Sequence, residues 1–156
     1  MGDAFYGGLQ VKKKFILLVE DNPDDEALTM RALRKNNIQN EVIVAHDGVE
    51  ALDFFAASGK FTGRDANDLP TLMLLDLKLP KVDGLEVLQR LHANPEYRRV
   101  PIVVLSSSRE EGDINRSYSL GASSYIVKPV DFLKFMEIIQ IIGQYWLNLN
   151  ELPPDE

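Results

Sequence analysis

The feature that most constrains the fold is the apolar run TLMLL at residues 71–75, which ends on a single carboxylate, Asp76. Pro80 and the pair Asp83-Gly84 follow closely and predict a turn. An apolar run of this length between turn signals is typical of a strand buried on both faces of a sheet. An aspartate at the carboxyl end of such a strand lies where open α/β sheets bind ligands, although it could also simply end the strand or cap a helix.

Four further segments have the character of strands, and helical patterns alternate with them. The segments are 15–19, 41–45, 101–105 and 124–127, and the last helix is predicted to run from Asp131 to about Leu149. Strict alternation of strand and helix predicts one α/β domain, with a five-stranded parallel sheet and helices on both faces. Residues 58–70 lack either pattern, which predicts an adaptable surface loop or an insertion.

Composition and charge narrow the class of protein. The chain has 156 residues, a formal net charge of −7 and no cysteine, so it can form no disulfide, thiolate zinc site or thiol nucleophile. An acidic surface argues against binding to nucleic acid, and no apolar run approaches the length that spans a membrane. We therefore expect a cytoplasmic protein with a flexible arm at 1–12, one domain at 13–150 and a tail at 151–156.

Polar side chains stand at the carboxyl ends of four of the five predicted strands: Glu20 and Asp21, then Asp76, Ser106 and Lys128. Because the carboxyl ends of parallel strands share one edge of a sheet, these groups should converge. Clustered carboxylates repel one another unless a cation is present, and oxygen ligands without His or Cys favour Mg²⁺. A lysine and a hydroxyl beside them suit an oxyanion. The pattern predicts a Mg²⁺-assisted phosphoryl site with Asp76 as nucleophile.

Other interpretations of the same residues stay open. Glu20-Asp21 could cap the first helix, Ser106 could be a turn residue, and Lys128 could be an ordinary solvated lysine. A Mg²⁺-dependent phosphatase or phosphomutase resembling haloacid dehalogenases needs a second aspartate two positions after the first, where Lys78 stands. A dinucleotide-binding domain needs a glycine-rich turn where the acidic pair stands. The chain could also be a binding module that works without phosphorylation.

Four motifs together resemble the landmarks of response regulator receiver domains. They are VEDN at 19–22, LDLKLP at 75–80, LSS at 105–107 and YIVKP at 125–129. The resemblance extends from about Lys14 to Leu149 and implies a flavodoxin-like fold with strand order 2-1-3-4-5. The segment EDNPDD at 20–25 and the ending WLNLNELP at 146–153 are similar to the stand-alone regulators paired with phytochrome-type sensor histidine kinases.

The resemblance implies an acceptor and a metal site. Asp76 would accept a phosphoryl group from a phosphohistidine of a sensor kinase. Mg²⁺ would be bound by Asp21, Asp76 and the backbone carbonyl of Lys78, with Glu20 acting mostly through water. The protein would catalyse only its own phosphorylation and dephosphorylation, and would not otherwise be an enzyme.

The resemblance also implies a switch. Lys128 would pair with the phosphoryl oxygens, and its bond to Pro129 would be cis, a form that only proline makes accessible. Ser106 would hydrogen-bond the phosphoryl group and draw its loop inward. Tyr125 would then turn from an exposed to a buried position and pass the change to the fifth strand and the last helix.

Two positions depart from the pattern of the family. Glu20 stands where aspartate is usual, which leaves the carboxylate chemistry in place. Lys78 is less usual, because its side chain could hang over the phosphoryl site. We hypothesise that Lys78 alters the lifetime of the phosphorylated state, by shielding the acyl phosphate or by displacing the water that hydrolyses it.

We expect no effector domain beside the receiver-like domain at 13–150, so the output should be binding or onward relay of phosphate. One apolar stripe of the last helix is predicted to pack on the sheet: Phe132, Phe135, Met136, Ile139, Ile142 and Trp146. Ile138, Ile141 and Tyr145 lie outside that stripe, and a surface helix this apolar usually covers a partner, although deeper burial would also explain it. We predict a homodimer, or kinase docking, through this helix and the adjacent strand.

Overall fold

The computed structural model describes residues 4–6, 9–11, 14–152 and 154, and a five-stranded parallel sheet forms its centre. The strands are β1 (Phe15–Val19), β2 (Glu41–Ala45), β3 (Leu72–Leu75), β4 (Ile102–Ser106) and β5 (Ser124–Val127). They lie side by side in the order β2-β1-β3-β4-β5, and every neighbouring pair is parallel. The predicted flavodoxin-like order 2-1-3-4-5 is confirmed.

Five α-helices connect and follow the strands. They are α1 (Pro23–Lys35), α2 (Gly48–Ala56), α3 (Gly84–His92), α4 (Glu111–Ser119) and α5 (Phe132–Gly143). Short 3₁₀ turns occur at Gly59–Phe61 and Pro95–Tyr97, and α5 continues into a π-helical segment, Gln144–Leu149. Four of the α-helices begin at a side chain that accepts hydrogen bonds from first-turn amides, namely Asn22, Asp47, Asp83 and Asp131. Each cap satisfies donors that have no partner within the helix.

The two faces of the sheet carry separate apolar clusters. In β1, Phe15, Leu17 and Val19 pack in the cluster that includes α2 and α3, whereas Ile16 and Leu18 pack in the cluster that includes α1 and α5. Because successive side chains of a strand point to opposite faces, a strand covered on both sides has to be apolar throughout. This double burial explains why the central strands appear in the sequence as continuous apolar runs.

The buried stripe of the last helix differs from the prediction at its two ends. Phe132 is 41% exposed, with the guanidinium of Arg31 5.9 Å from its ring centre, and Trp146 is only half-buried. Leu147 is buried instead. At the carboxyl end the physical reason is the π-helical segment, in which the amide of Asn150 donates to the carbonyl of Tyr145, because a wider turn shifts which side chain faces the sheet.

The loop at residues 58–70 is packed against the domain through Arg64. The guanidinium of Arg64 lies 3.7 Å from the ring centre of Phe54 and donates to the carbonyl oxygens of Phe54, at 2.8 Å, and of Asp68. Phe61 meets the same ring edge-on, with ring centres 5.3 Å apart. A cation above an aromatic face and two satisfied carbonyls hold this insertion in a defined conformation.

The predicted flexible arm, residues 1–12, lies partly outside the described residues. Within it, residues 4–6 and 9–11 pair as two short antiparallel strands, and its flexibility stays a prediction. At the start of the domain, the ammonium of Lys14 donates to the carbonyl of Leu147 at 2.7 Å. Among the residues that the structure describes, none of the helices combines the length and apolar character needed to cross a bilayer.

Candidate functional site

Three carboxylates meet at the carboxyl edge of the sheet. Glu20 and Asp21 directly follow β1, and Asp76 directly follows β3, the neighbouring strand. One carboxylate oxygen from each residue lies within 4.8 Å of the other two. The amide of Asp76 donates to the carbonyl of Val19 at 3.2 Å, so the ends of the two strands are tied together. The structure thus brings together the three side chains that were predicted to bind a metal.

Glu20 is the buried member of this group, with 3% of its surface exposed. Its carboxylate accepts hydrogen bonds from the ammonium of Lys128, at 2.8 Å, and from the amide of Asn22, at 3.2 Å. Burial raises the pKa of Glu20 to about 7, although the hydrogen bond and charge of Lys128 act in the opposite direction. A divalent cation beside Glu20 and Asp76 would restore the ionised form. An all-oxygen set of this kind fits Mg²⁺ or a similar hard cation.

Lys128 is the centre of the charge network. Its ammonium donates to Glu20 at 2.8 Å, to Asp25 at 3.0 Å and to Asp76 at 3.1 Å. Burial by itself would lower the pKa of Lys128, but the bonds and charges of these carboxylates outweigh burial and raise it. Lys128 is therefore held as a cation directly against the oxygen of Asp76.

Asp25 was not among the predicted site residues, and it entered the sequence analysis only as the last residue of the segment EDNPDD at 20–25. Its contact with Lys128 depends on where the first turn of α1 lies relative to the end of β5, so no local pattern of the sequence points to it.

The backbone of Lys128 departs from the expectation. Its amide donates to the carbonyl of Ser106 at 2.8 Å, which ties it to the end of β4. The described part of the chain contains no cis peptide bond, so the bond between Lys128 and Pro129 is trans and the predicted cis bond was wrong. A trans bond is the lower-energy isomer before proline by about 0.5–1 kcal/mol. With this bond trans, the Lys128 side chain still reaches Glu20, Asp25 and Asp76.

The two residues predicted to form the switch are linked through Ser108. Ser106 is fully buried, and its hydroxyl accepts from the amide of Ser108 at 3.2 Å. The hydroxyl of Tyr125 donates to the carbonyl of Ser108 at 2.9 Å, so the half-buried Tyr125 already faces the loop after β4. The hydroxyl of Ser108 donates to Asp113 of α4 at 2.6 Å. The spacing Ser108-x-x-Glu111 is that of a capping box, but none forms, because α4 begins directly after Glu110, whose amide donates to the Ser108 hydroxyl at 3.2 Å.

The loop after β3 folds back beneath Asp76. The amide of Gly84 donates to the carbonyl of Leu77 at 2.8 Å, and a β-carbon on Gly84 would lie 2.4 Å from the carbonyl oxygen of Asp76. Only glycine allows this approach. The amide of Lys78 donates to Asp76 Oδ1 at 3.2 Å, and the Lys78 side chain is exposed. The carbonyl of Lys78 stays a predicted metal ligand.

Comparison with known proteins identifies a family. The response regulator receiver domain matches residues 16–140. The response regulator Rcp1 of Synechocystis is 38% identical over 140 residues, which cover 90% of this chain and 93% of Rcp1. A Mn²⁺-bound structure of Rcp1 superposes with a TM-score of 0.83, at 38% identity, and covers 90% of this chain and 99% of that one.

Two further solved structures are similar. The phosphorylated cyanobacterial phytochrome response regulator RcpA has a TM-score of 0.84 and 38% identity, covering 92% of this chain and 100% of that one. The bacteriophytochrome response regulator AtBRR has a TM-score of 0.71 and 52% identity, covering 90% of this chain and 100% of that one. The relatives therefore share both the fold and a large part of the sequence.

Proposed function

This chain belongs to the family of response regulator receiver domains, and from that premise we propose that Asp76 accepts a phosphoryl group from a phosphohistidine of a sensor kinase. The observation that carries the proposal is the contact of the Lys128 ammonium with Asp76 Oδ2 at 3.1 Å, beside the cluster of Glu20 and Asp21. An ionised carboxylate is a nucleophile, and a fixed cation beside it can stabilise the charge that develops on the phosphoryl oxygens.

Mg²⁺ is the proposed cofactor. Glu20, Asp21, Asp76 and the carbonyl of Lys78 would hold it, and its charge would offset the repulsion between the carboxylates and an incoming phosphoryl group. The cluster of Glu20, Asp21 and Asp76 supports a cation at this position, because carboxylates that crowd one another are most stable when a positive charge is close. The Mn²⁺-bound form of Rcp1 supports a divalent metal in a relative.

Ser106 and Tyr125 are the proposed switch. The Ser106 hydroxyl accepts a hydrogen bond from the amide of Ser108, in the loop after β4. The carbonyl of Ser108 in turn accepts a hydrogen bond from the Tyr125 hydroxyl. If Ser106 turns its hydroxyl to a phosphoryl oxygen, the loop moves with it, and Tyr125 follows through its bond to Ser108. The change would reach β5 directly, because Tyr125 belongs to that strand. From β5 it would pass to α5, the next helix.

We propose that this chain acts in the cytoplasm and that its partner is a sensor histidine kinase of the phytochrome type. Similarity to RcpA and AtBRR, both phytochrome response regulators, supports this class of partner. The chain would act on no external substrate and would catalyse only its own phosphorylation and dephosphorylation. Phosphatase activity is not favoured, because Lys78 occupies the position where that chemistry needs a second aspartate.

Incubation with acetyl phosphate and Mg²⁺, followed by intact-protein mass spectrometry, tests the proposal. Wild-type protein should gain one phosphoryl group, which peptide mapping should place on Asp76. The Asp76→Asn variant and a sample with excess EDTA should gain none. A wild-type chain that takes up no phosphate would leave a phosphorylation-independent binding module as the function.

A further inference from the structure

Lys128 has a carboxylate partner that the predicted acceptor and metal residues do not include. Asp25 lies in the first turn of α1, and its Oδ2 accepts from the ammonium of Lys128 at 3.0 Å. Asp25 is not part of the carboxylate cluster of Glu20, Asp21 and Asp76. Its role therefore has to be sought in its contact with the lysine.

The ammonium of Lys128 has no donor to spare. A lysine ammonium carries three N–H groups, and the three bonds of Lys128 go to Glu20, Asp25 and Asp76. When Asp76 is phosphorylated, its negative charge moves outward onto the phosphoryl oxygens, and Nζ has to follow it to keep its strongest partner. The bonds to Glu20 and Asp25 oppose that movement, because an outward shift of Nζ would lengthen one or both of them.

Exposure decides which bond yields most easily. The Glu20 side chain is 4% exposed and that of Asp25 is 36% exposed. A buried carboxylate that loses its cation stays desolvated, which is costly, whereas a carboxylate at the surface recovers water. Glu20 should therefore keep Lys128, and Asp25 should release it.

We propose that Asp25 is a positioning residue that competes with the phosphoryl group of Asp76 for Lys128 and so favours the unphosphorylated state. This inference rests on the proposed function of Asp76. In the step itself, an oxygen of the Asp76 carboxylate supplies the electron pair for a new bond to phosphorus, and the bond between phosphorus and the leaving oxygen of acetyl phosphate breaks. Acetate departs with that electron pair, and no proton is transferred.

The Asp25→Asn variant removes the charge while keeping the size of the side chain. With Mg²⁺ saturating, it should be phosphorylated by acetyl phosphate faster at donor concentrations below saturation, and its phosphorylated form should last longer. An ion pair that is partly exposed contributes up to about 1 kcal/mol, which corresponds to a change of about five-fold in the ratio of the two rate constants. Asp25→Ala should behave in the same direction, and Asp25→Glu should fall closer to the wild type.

Asp24→Asn is the matched control. Asp24 precedes Asp25 in the same first turn and is exposed, and within the described residues its carboxylate makes no hydrogen bond or ion pair. Asp24→Asn removes one negative charge from the same end of α1 as Asp25→Asn does. Because Asp24 does not contact Lys128, its substitution should leave both rates unchanged. Thermal unfolding of each variant separates loss of folding from an effect on Lys128.

The outcomes distinguish this inference from the proposed function. Wild-type protein that is phosphorylated on Asp76, with Asp25→Asn equal to Asp24→Asn in both rates, would overturn the role of Asp25 and leave the function intact. Slower phosphorylation of Asp25→Asn would also overturn it. A wild-type protein that forms no adduct would overturn both.

Discussion

The contacts of Lys78 bear on the hypothesis that this residue alters the lifetime of the phosphorylated state. Its amide is bonded to Asp76, while within the described chain its exposed ammonium makes no hydrogen bond or ion pair. That ammonium is free to lie over the phosphoryl group and exclude the hydrolytic water. We expect Lys78→Ala to shorten the lifetime of phosphorylated Asp76 by about two- to five-fold, the scale of a weak exposed ion pair. The rate at which the protein loses phosphate after removal of the donor measures this lifetime. Lys134→Ala, at an exposed lysine of α5, is the control, and equal rates for Lys78→Ala and wild type would contradict the hypothesis.

Asp47 provides a pH-dependent contribution to stability. Its carboxylate accepts from the amide of Glu50 at 2.8 Å and lies 3.4 Å from the ammonium of Lys81. Burial would raise the pKa of Asp47, but these donors outweigh it and lower the pKa. A lowered pKa means that the stabilisation is complete above the unfolded value, about 3.9, and is lost as pH falls through the folded value.

Asp47→Asn keeps the capping oxygen but removes the charge. We expect it to lower the free energy of unfolding by about 0.5–1 kcal/mol at pH 7, the range of a favourable charge at a helix N-terminus. The difference from wild type should shrink as pH falls below about 4, where the aspartate itself becomes protonated. Urea unfolding at a series of pH values measures both, and a difference that stays constant down to pH 3 would contradict the assignment.

At the scale of elements, α2 ends under strain. Its C-cap, Ala57, has φ 53° and ψ 45°, a left-handed conformation that disfavours any residue with a β-carbon. Ala57→Gly should raise the free energy of unfolding by about 0.5–1 kcal/mol. Ala56→Gly, at the last residue of the helix, should lower it by a similar amount, about 0.5–1 kcal/mol. Denaturant unfolding of the two variants checks the opposite signs, and a loss of stability in Ala57→Gly would refute the argument.

At the scale of the whole molecule, the predicted dimer surface is the outer face of α5 and of the π-helical segment that follows it. Leu133, Ile141, Tyr145 and Leu149 recur every four or eight residues and are 72%, 59%, 49% and 72% exposed. Ile138, predicted to lie on this outer face, instead packs partly against the core. Exposed apolar side chains at such spacing form one stripe, which a second copy of the chain could cover.

Ile141→Glu tests that surface without disturbing the core. We expect wild-type protein to sediment as a dimer and Ile141→Glu to sediment as a monomer, because a carboxylate in an apolar interface loses its water without gaining a partner. Gln89→Glu introduces the same side chain at an exposed polar position of α3, away from this surface, and should leave the dimer intact. Sedimentation velocity with and without acetyl phosphate measures the state, and a wild-type monomer under both conditions would contradict dimerisation.

The fold and most residues of the site can be predicted from the amino-acid sequence alone. Strands buried on both faces need long apolar runs, so the runs at 15–19 and 71–75 located β1 and β3 almost to the residue. Glu20, Asp21 and Asp76 follow the carboxyl ends of these runs, and the carboxyl ends of parallel strands share one edge of the sheet. The sequence therefore predicted that the three carboxylates lie together, as they do in the structure.

Features that depend on distances between elements could not be predicted from the sequence and come from the packing of the folded chain. That Asp25 reaches Lys128 depends on how α1 sits against β5, and no local pattern encodes that contact. The burial of Leu147 in place of Trp146 depends on a π-helical segment that shifts the register of α5. Periodicity reports which residues share a face of one element, whereas packing between elements decides which of them meet.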